Sequence, residues 1–179
     1  EYVLSTKVGR MLVPDRAYAL KAYGGDMRAM PFRYTFHFTY DAVMRSYEQS
    51  LQRLGVERID ILYLHDLGAF SQRERHEETL RQAFEGGGLR ALEELRASGA
   101  VRAIGAGVNE WPILDWLMDH GKWDVFLLAN RYTLLDHAVL ETFLPRCVKE
   151  GVAIVDGAPL NAGILATGAV PGAKYDYAP

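Results

Sequence analysis

The chain has 179 residues, 49% of them hydrophobic and 24% charged, which supplies one sizeable core and excludes a disordered segment. A formal net charge of −3 with no basic block leaves no electrostatic footprint for nucleic acid or for an anionic membrane surface, so both are set aside as partners. No apolar window approaches the roughly 20 residues of a membrane helix, and the one cysteine, Cys147, cannot form an internal disulfide, which fits a reducing compartment such as the cytoplasm.

Residues 2–8, YVLSTKV, read as a short strand with Lys7 near its carboxyl end and Gly9 at the exit. Lysine is rarely buried, so its place at the end of an apolar strand is either a rim position or a chemical one. Residues 10–39 are long for a connection. They hold Gly24-Gly25 and Pro31, and then alternate through Phe32, Tyr34, Phe36 and Phe38. That pattern predicts an extended arm or hairpin with one apolar face, serving as a flap over one end of the fold. Residues 41–54 form the first clear helix, with Val43, Met44, Tyr47, Leu51 and Leu54 at helical spacing and Gly55 as the stop.

Residues 58–66, RIDILYLHD, are a nearly unbroken apolar run ending in an imidazole and a carboxylate. A run buried on both faces is a parallel strand. His65 thus falls at a strand's carboxyl end, where α/β proteins collect their chemistry. Residues 71–85 are charged, the run RERHEE within them reads as a solvated face or loop, and Gly86-Gly87-Gly88 follows no strand, so it lacks the context of a phosphate cradle.

Leu89, Leu92 and Leu95 mark a second helix ending at Gly99, after which residues 101–108, VRAIGAGV, return as a strand that ends in Asn109 and Glu110. The GAGVNE run fails as a dinucleotide fingerprint because Glu110 stands where the third glycine belongs. Period-two alternation puts Gly105, Gly107 and Asn109 on one face and Ile104, Ala106 and Val108 on the other. Pro112 opens a helix stopped by Gly121, and residues 125–129 form a strand with Asn130 and Arg131 at its end. Asp136 is placed to cap a short helix to about Phe143. An interior proline costs a helix about 3 kcal/mol, so Pro145 is expected in the first turn of a restart that stops at Gly151. Residues 152–158 are the last strand, 159–163 its exit loop, and the tail to Pro179 carries no strand or helix signal.

Five strands alternate with helices at spacings that match βα units, which predicts a wholly parallel sheet with helices outside. In a (β/α)₈ barrel the carboxyl ends converge on one mouth, and Lys7, His65, Asn109 and Asn130 line it. A cation beside an imidazole and two amides suits a substrate oxygen that gains negative charge, and it offers no metal ligand set.

Three segments, LQRLGVERIDILYLHD, LEELRASGAVRAIGAGVNEW and GVAIVDGAPLNAGIL, lie in that order with STKVG upstream. Together they resemble the aldo-keto reductases, and within them the branch of sugar and pyridoxal dehydrogenases that includes the D-threo-aldose (L-fucose) and L-galactose 1-dehydrogenases. The resemblance implies a (β/α)₈ TIM barrel, of which this chain supplies about five consecutive βα units as a single domain, 1–179. It further implies NADP or NAD as cofactor, bound without a Rossmann motif, and a small sugar, aldehyde or pyridoxal as substrate. Of the family's catalytic aspartate, tyrosine, lysine and histidine, Lys7 and His65 match the last two. The aspartate and tyrosine are expected upstream of Glu1 and the adenosine-gripping segment downstream of Pro179, so the fragment alone is expected to be inactive. Asn109, Asn130, Gly157, Leu160 and Asn161 are the cofactor-binding candidates. Asn109-Glu110 replaces the family's Ser-Asn pair, Ala129 stands where a glutamine is usual, and Gly157 stands where an aromatic ring stacks on nicotinamide. Two other readings stay open: a lyase using Lys7 as a Schiff base on the same barrel, and a non-catalytic subunit that senses NADP(H). Were the chain complete, an open parallel sheet is expected instead of a closed barrel.

Overall fold

The computed structural model describes residues 2–22, 24 and 30–175; Gly25 of the expected flap and residues 176–179 of the tail lie outside the described residues. In chain order the elements are β1 (Ser5–Val8), β2 (Arg10–Pro14), α1 (Arg16–Ala22), β3 (Phe32–Phe36), α2 (Tyr40–Leu54), β4 (Ile61–His65), α3 (Ala69–Gln72) and α4 (His76–Phe84). They continue with α5 (Gly88–Ala97), β5 (Ala103–Val108), α6 (Trp111–Met118), β6 (Val125–Ala129), α7 (Phe143–Glu150), β7 (Ala153–Gly157) and α8 (Ile164–Thr167). Five strands form one sheet in the order β1-β4-β5-β6-β7, every neighbouring pair parallel. The strands β2 and β3 form a separate antiparallel hairpin.

The register assigns the two faces of the sheet. Val8, Leu62, Leu64, Ile104, Ala106, Phe126 and Leu128 share one face and are buried against the apolar sides of the helices, including Val43, Leu92, Leu114 and Phe143. Each fully buried Leu, Ile or Phe contributes about 1.5–3 kcal/mol relative to exposure, so this layer holds the βα units together. On the other face the register aligns Lys7 with Tyr63 and Gly105, and His65 with Gly107 and Leu127. The alternation expected for Gly105 and Gly107 against Ile104, Ala106 and Val108 is thus observed. The reason for glycine is steric: a Cβ on Gly105 would run into the Val125 carbonyl, and one on Gly107 would lie 3.1 Å from Lys7 Cε.

At the opposite end of the sheet a carboxylate recurs one residue before a strand. Asp60, before β4, accepts the Leu4 N–H at 2.9 Å on Oδ2, while Arg58 and Arg102 lie 3.0 and 3.4 Å from its Oδ1 as ion pairs outside hydrogen-bond alignment. Asp124, before β6, accepts the Ile104 N–H at 2.9 Å and pairs with Arg96 at 2.7 Å. Each ties its own strand to the adjacent one and fixes register at the amino end.

Four expectations are corrected. Of the two readings of RERHEE the loop is corrected and the solvated face stands: residues 71–85 enter α3, turn through a 3₁₀ segment at Arg73–Arg75 and form α4, with the charged run largely exposed, Thr79 and Ala83 buried, and Leu80 and Phe84 packed partly buried on the core. Within 10–39 the hairpin is present, but α1 lies between its strands with Ala19 as its buried residue. Asp136 caps no helix; it pairs with Arg131 at 3.3 Å, and the segment it precedes is a 3₁₀ turn, Ala138–Leu140. The region after β7 is not structureless, since a 3₁₀ turn at Asn161–Gly163 leads into α8. Pro145 stands in the first turn of α7 and Gly151 ends that helix in a left-handed conformation, as expected.

Candidate active site

Four of the five parallel strands are followed at once by a residue with positive φ: Gly9 (96°), Asp66 (53°), Asn130 (62°) and Ala158 (52°). The left-handed residue turns the chain out of the sheet. The N–H groups of Asp66 and Asn130 nevertheless close a last rung, to Gly107 O at 2.8 Å and Gly157 O at 2.9 Å. Asp and Asn tolerate this conformation better than other side chains, so the strand exits are rigid turns that hold polar groups at the mouth.

On the β1–β4 side, Lys7 and His65 line one cavity of ≈ 400 Å³, together with Ser5, Arg10, Tyr34 and others. The hairpin covers it: by register Arg10, Leu12, Tyr34 and Phe32 fall on one hairpin face, and Phe36 meets the His65 ring edge-on at 6.2 Å. Burial, followed by the charges of Lys7 and Arg10, lowers the His65 pKa to about 4. Its imidazole is therefore neutral near pH 7, with one ring nitrogen a donor and the other an acceptor. Asp66 Oδ2 lies 3.4 Å from His65 Nε2, a long polar contact with a neutral ring. Asp66 Oδ1 accepts from Asn109 Nδ2 at 3.2 Å, which links Asn109 to this group. Burial raises the Asp66 pKa, opposed by Arg10 and Lys7.

Glu110 diverges from Asn109. Its Oε1 accepts the Phe70 N–H at 2.6 Å, at the second residue of α3, so the carboxylate satisfies a free amide of that helix. Arg131 donates from Nε to the Asn109 carbonyl at 2.8 Å and pairs with Asp136, bracing the exits of β5 and β6.

A second group forms on the β6–β7 side. Asn130 and Asn161 are both fully buried, and Asn161 Nδ2 donates to the Asn130 carbonyl at 3.4 Å. Asn130 Nδ2 and Oδ1 and Asn161 Oδ1 have no hydrogen-bond partner among the described residues. Gly157 joins this group through its carbonyl, and a Cβ there would come within 3.3 Å of Leu127 Cδ2. Leu160 stands apart, 51% exposed, on a mostly apolar cavity of ≈ 610 Å³ with Tyr132, Leu134, Leu140 and Leu165. The structure thus brings Lys7, His65 and Asn109 into one group and Asn130, Asn161 and Gly157 into another, with Leu160 outside both. Arg10, Tyr34 and Asp66 join the first group unassigned by the sequence reading. The usable signal was present in the alternation from Arg10 to Leu12, which matches that of Phe32 to Phe36 and so marks a shared hairpin face.

A row of parallel βα units whose polar groups gather at the strand carboxyl ends is the architecture of the (β/α)₈ barrels, here an incomplete one. The chain belongs to the Aldo/keto reductase family, whose profile matches residues 1–178. It is 42% identical to a pyridoxal 4-dehydrogenase of Microbacterium luteolum over 98% of this chain and 54% of that protein. It is 36% identical to a D-threo-aldose 1-dehydrogenase of a Pseudomonas species over 93% of this chain and 49% of that protein. Among solved structures, the holo form of an aldo-keto reductase from Bacillus halodurans matches with a TM-score of 0.65 at 20% identity, covering 96% of this chain and 48% of that one, and supports the fold. The chain spans about half the length of the relatives it matches. No helix among the described residues is long and apolar enough to cross a membrane.

Proposed function

We propose that the complete polypeptide carrying this chain is a cytoplasmic NAD(P)-dependent oxidoreductase that acts on a small carbonyl or alcohol substrate. The names of its relatives suggest oxidation of an aldose at position 1 or of pyridoxal at position 4, and we take the lactone as the product in either case. The observation that carries this reading is the shared cavity of Lys7 and His65 on one sheet face at the strand carboxyl ends. An ammonium there favours negative charge on a substrate oxygen, or on a phenol beside it. A neutral imidazole can hold that oxygen by an N–H without adding a competing charge, which suits orientation and assistance to proton transfer.

The residues on the β6–β7 side fit a nicotinamide carboxamide, because Asn130 Nδ2 and Oδ1 and Asn161 Oδ1 are buried donor and acceptor atoms without a partner among the described residues. Asn109 supplies a further amide, and Gly157 and Leu160 border the approach. The nicotinamide, when bound, supplies the hydride acceptor or donor. The chain's own residues bind it, keep water from the amides and hold the reacting oxygen between Lys7 and His65. The test is dehydrogenase activity of the complete polypeptide with L-fucose, L-galactose and pyridoxal, using NAD⁺ and NADP⁺ in parallel. Reduced nucleotide formed with at least one pair supports the reading, and none formed with any pair refutes it.

A further inference from the structure

Asp66, at the exit of β4, is anchored through both of its backbone groups. Its left-handed turn (φ 53°) is closed by its own N–H to Gly107 O at 2.8 Å, and its carbonyl accepts Gln72 Nε2 at 2.8 Å. Gln72 is buried, and its Oε1 accepts the Thr79 hydroxyl at 3.3 Å. A relay from α4 through α3 thus pins the turn from behind. The turn gives the two carboxylate oxygens separate contacts: Oδ1 accepts Asn109 Nδ2 at 3.2 Å, and Oδ2 lies 3.4 Å from His65 Nε2. Burial opposes ionisation of this carboxyl, while Arg10, Lys7 and hydrogen bonds from Asn109 and Ser71 favour it.

An ionised carboxylate only accepts hydrogen bonds. Beside a neutral imidazole it favours the tautomer whose proton sits on the nearer nitrogen, here Nε2. An N–H···O bond is usually about 2.7–3.2 Å long, so a contact of 3.4 Å biases the proton toward Nε2 without consuming it there. We infer that Asp66 is a positioning residue for hydride transfer: it keeps the His65 proton on Nε2, where it can be offered to the substrate oxygen, and it holds Asn109 by its amide on the nicotinamide side. One carboxylate then sets side chains at both ends of the transfer, and it acts through them without touching substrate or nucleotide. The inference rests on the oxidoreductase reading and adds to it how the neutral imidazole is oriented.

Two variants keep the left-handed turn, since glycine and asparagine both tolerate positive φ. Asp66→Gly removes both contacts, whereas Asp66→Asn retains an acceptor for Asn109 and turns an amide N–H₂ toward Nε2. The complete polypeptide, isotope-labelled at its histidine nitrogens, is read by long-range proton–nitrogen NMR near pH 7, with His65→Leu assigning the His65 signals. The unaltered protein should carry the His65 proton on Nε2; Asp66→Asn should move it to Nδ1, and Asp66→Gly should leave a mixture. Single-turnover hydride transfer should slow about tenfold or more in Asp66→Asn, with nucleotide affinity kept within about threefold. Asp66→Gly should weaken nucleotide binding about threefold to tenfold, and should add no loss in a protein that already carries Asn109→Ala. A proton on Nδ1 in the unaltered protein, a tautomer that neither variant changes, or affinity losses that add in full with Asn109→Ala would overturn the inference. The tautomer and the binding cycle are read without turnover. Both as expected, with no hydride transfer from L-fucose, L-galactose or pyridoxal, would refute the oxidoreductase reading and leave the placement of His65 and Asn109 by Asp66 standing. Hydride transfer with a tautomer independent of Asp66 would do the reverse.

Discussion

The two polar groups at the mouth are built by different means. On the β1–β4 side charged and titratable side chains surround an open cavity, where burial first, and then the charges of Lys7 and Arg10, hold His65 neutral. On the β6–β7 side the group is made of two uncharged amides, locked inside by a backbone that turns left-handed at Asn130 and again at Asn161 (φ 46°). The first arrangement suits a site where charge develops, the second a site that must hold a neutral amide in one orientation. A division of labour follows, with chemistry at Lys7 and His65 and holding at Asn130 and Asn161.

Four measurements bear on that division. The largest effect is expected from Lys7→Met, which should lower the rate of hydride transfer about a thousandfold, in the range of a lost acid-base partner, as measured by single-turnover absorbance of the reduced nucleotide. Next comes the pH dependence of stability at His65. Its folded pKa, about 4, lies below the unfolded value of 6.5. Between those values the unfolded chain takes up a proton that the folded chain refuses, so stability falls as pH drops through that window and levels off below it, by up to about 3 kcal/mol. Asp66, raised by burial, acts in the opposite sense and reduces the net slope. His65→Leu should flatten the urea midpoint across the same pH range; a slope equal to that of the unaltered protein would place the titration elsewhere.

Asn130→Gly keeps the left-handed turn and removes only the amide. It should weaken nucleotide binding about tenfold, or about 1.4 kcal/mol, by fluorescence titration while the melting temperature moves by only a few degrees. The smallest effect is expected from Glu110→Ala. Loss of the contact to Phe70 should cost about 0.5–1 kcal/mol in urea unfolding and leave nucleotide affinity where it was, which would separate Glu110 from its neighbour Asn109.

Much of this arrangement can be read before any coordinates. Residues 58–66 announce β4 because a strand buried on both faces must be apolar throughout, and the run's abrupt end exposes His65 as a mouth residue. The Gly105, Gly107 and Asn109 alternation is legible for the same steric reason. Elements that bury little leave no such mark: α1 buries Ala19 alone within seven residues, and α4 fully buries only Thr79 and Ala83 behind the charged run that opens it. Asp136 resembles a helix cap by type, but Arg131 competes for it across a turn that only the folded chain defines. The burial of the Asn130 and Asn161 amides, with Asn130 Nδ2 and Oδ1 and Asn161 Oδ1 lacking a partner among the described residues, depends on two loops packed together from different βα units, and no local pattern records it.

Division of labour is tested most directly by measuring nucleotide affinity and single-turnover hydride transfer side by side in Lys7→Met and Asn130→Gly. A crossed result is expected: Lys7→Met loses rate and retains affinity within about threefold, whereas Asn130→Gly loses affinity and recovers most of its rate at saturating nucleotide. If both substitutions depress the same quantity in equal measure, the two sides of the mouth do not have separate tasks.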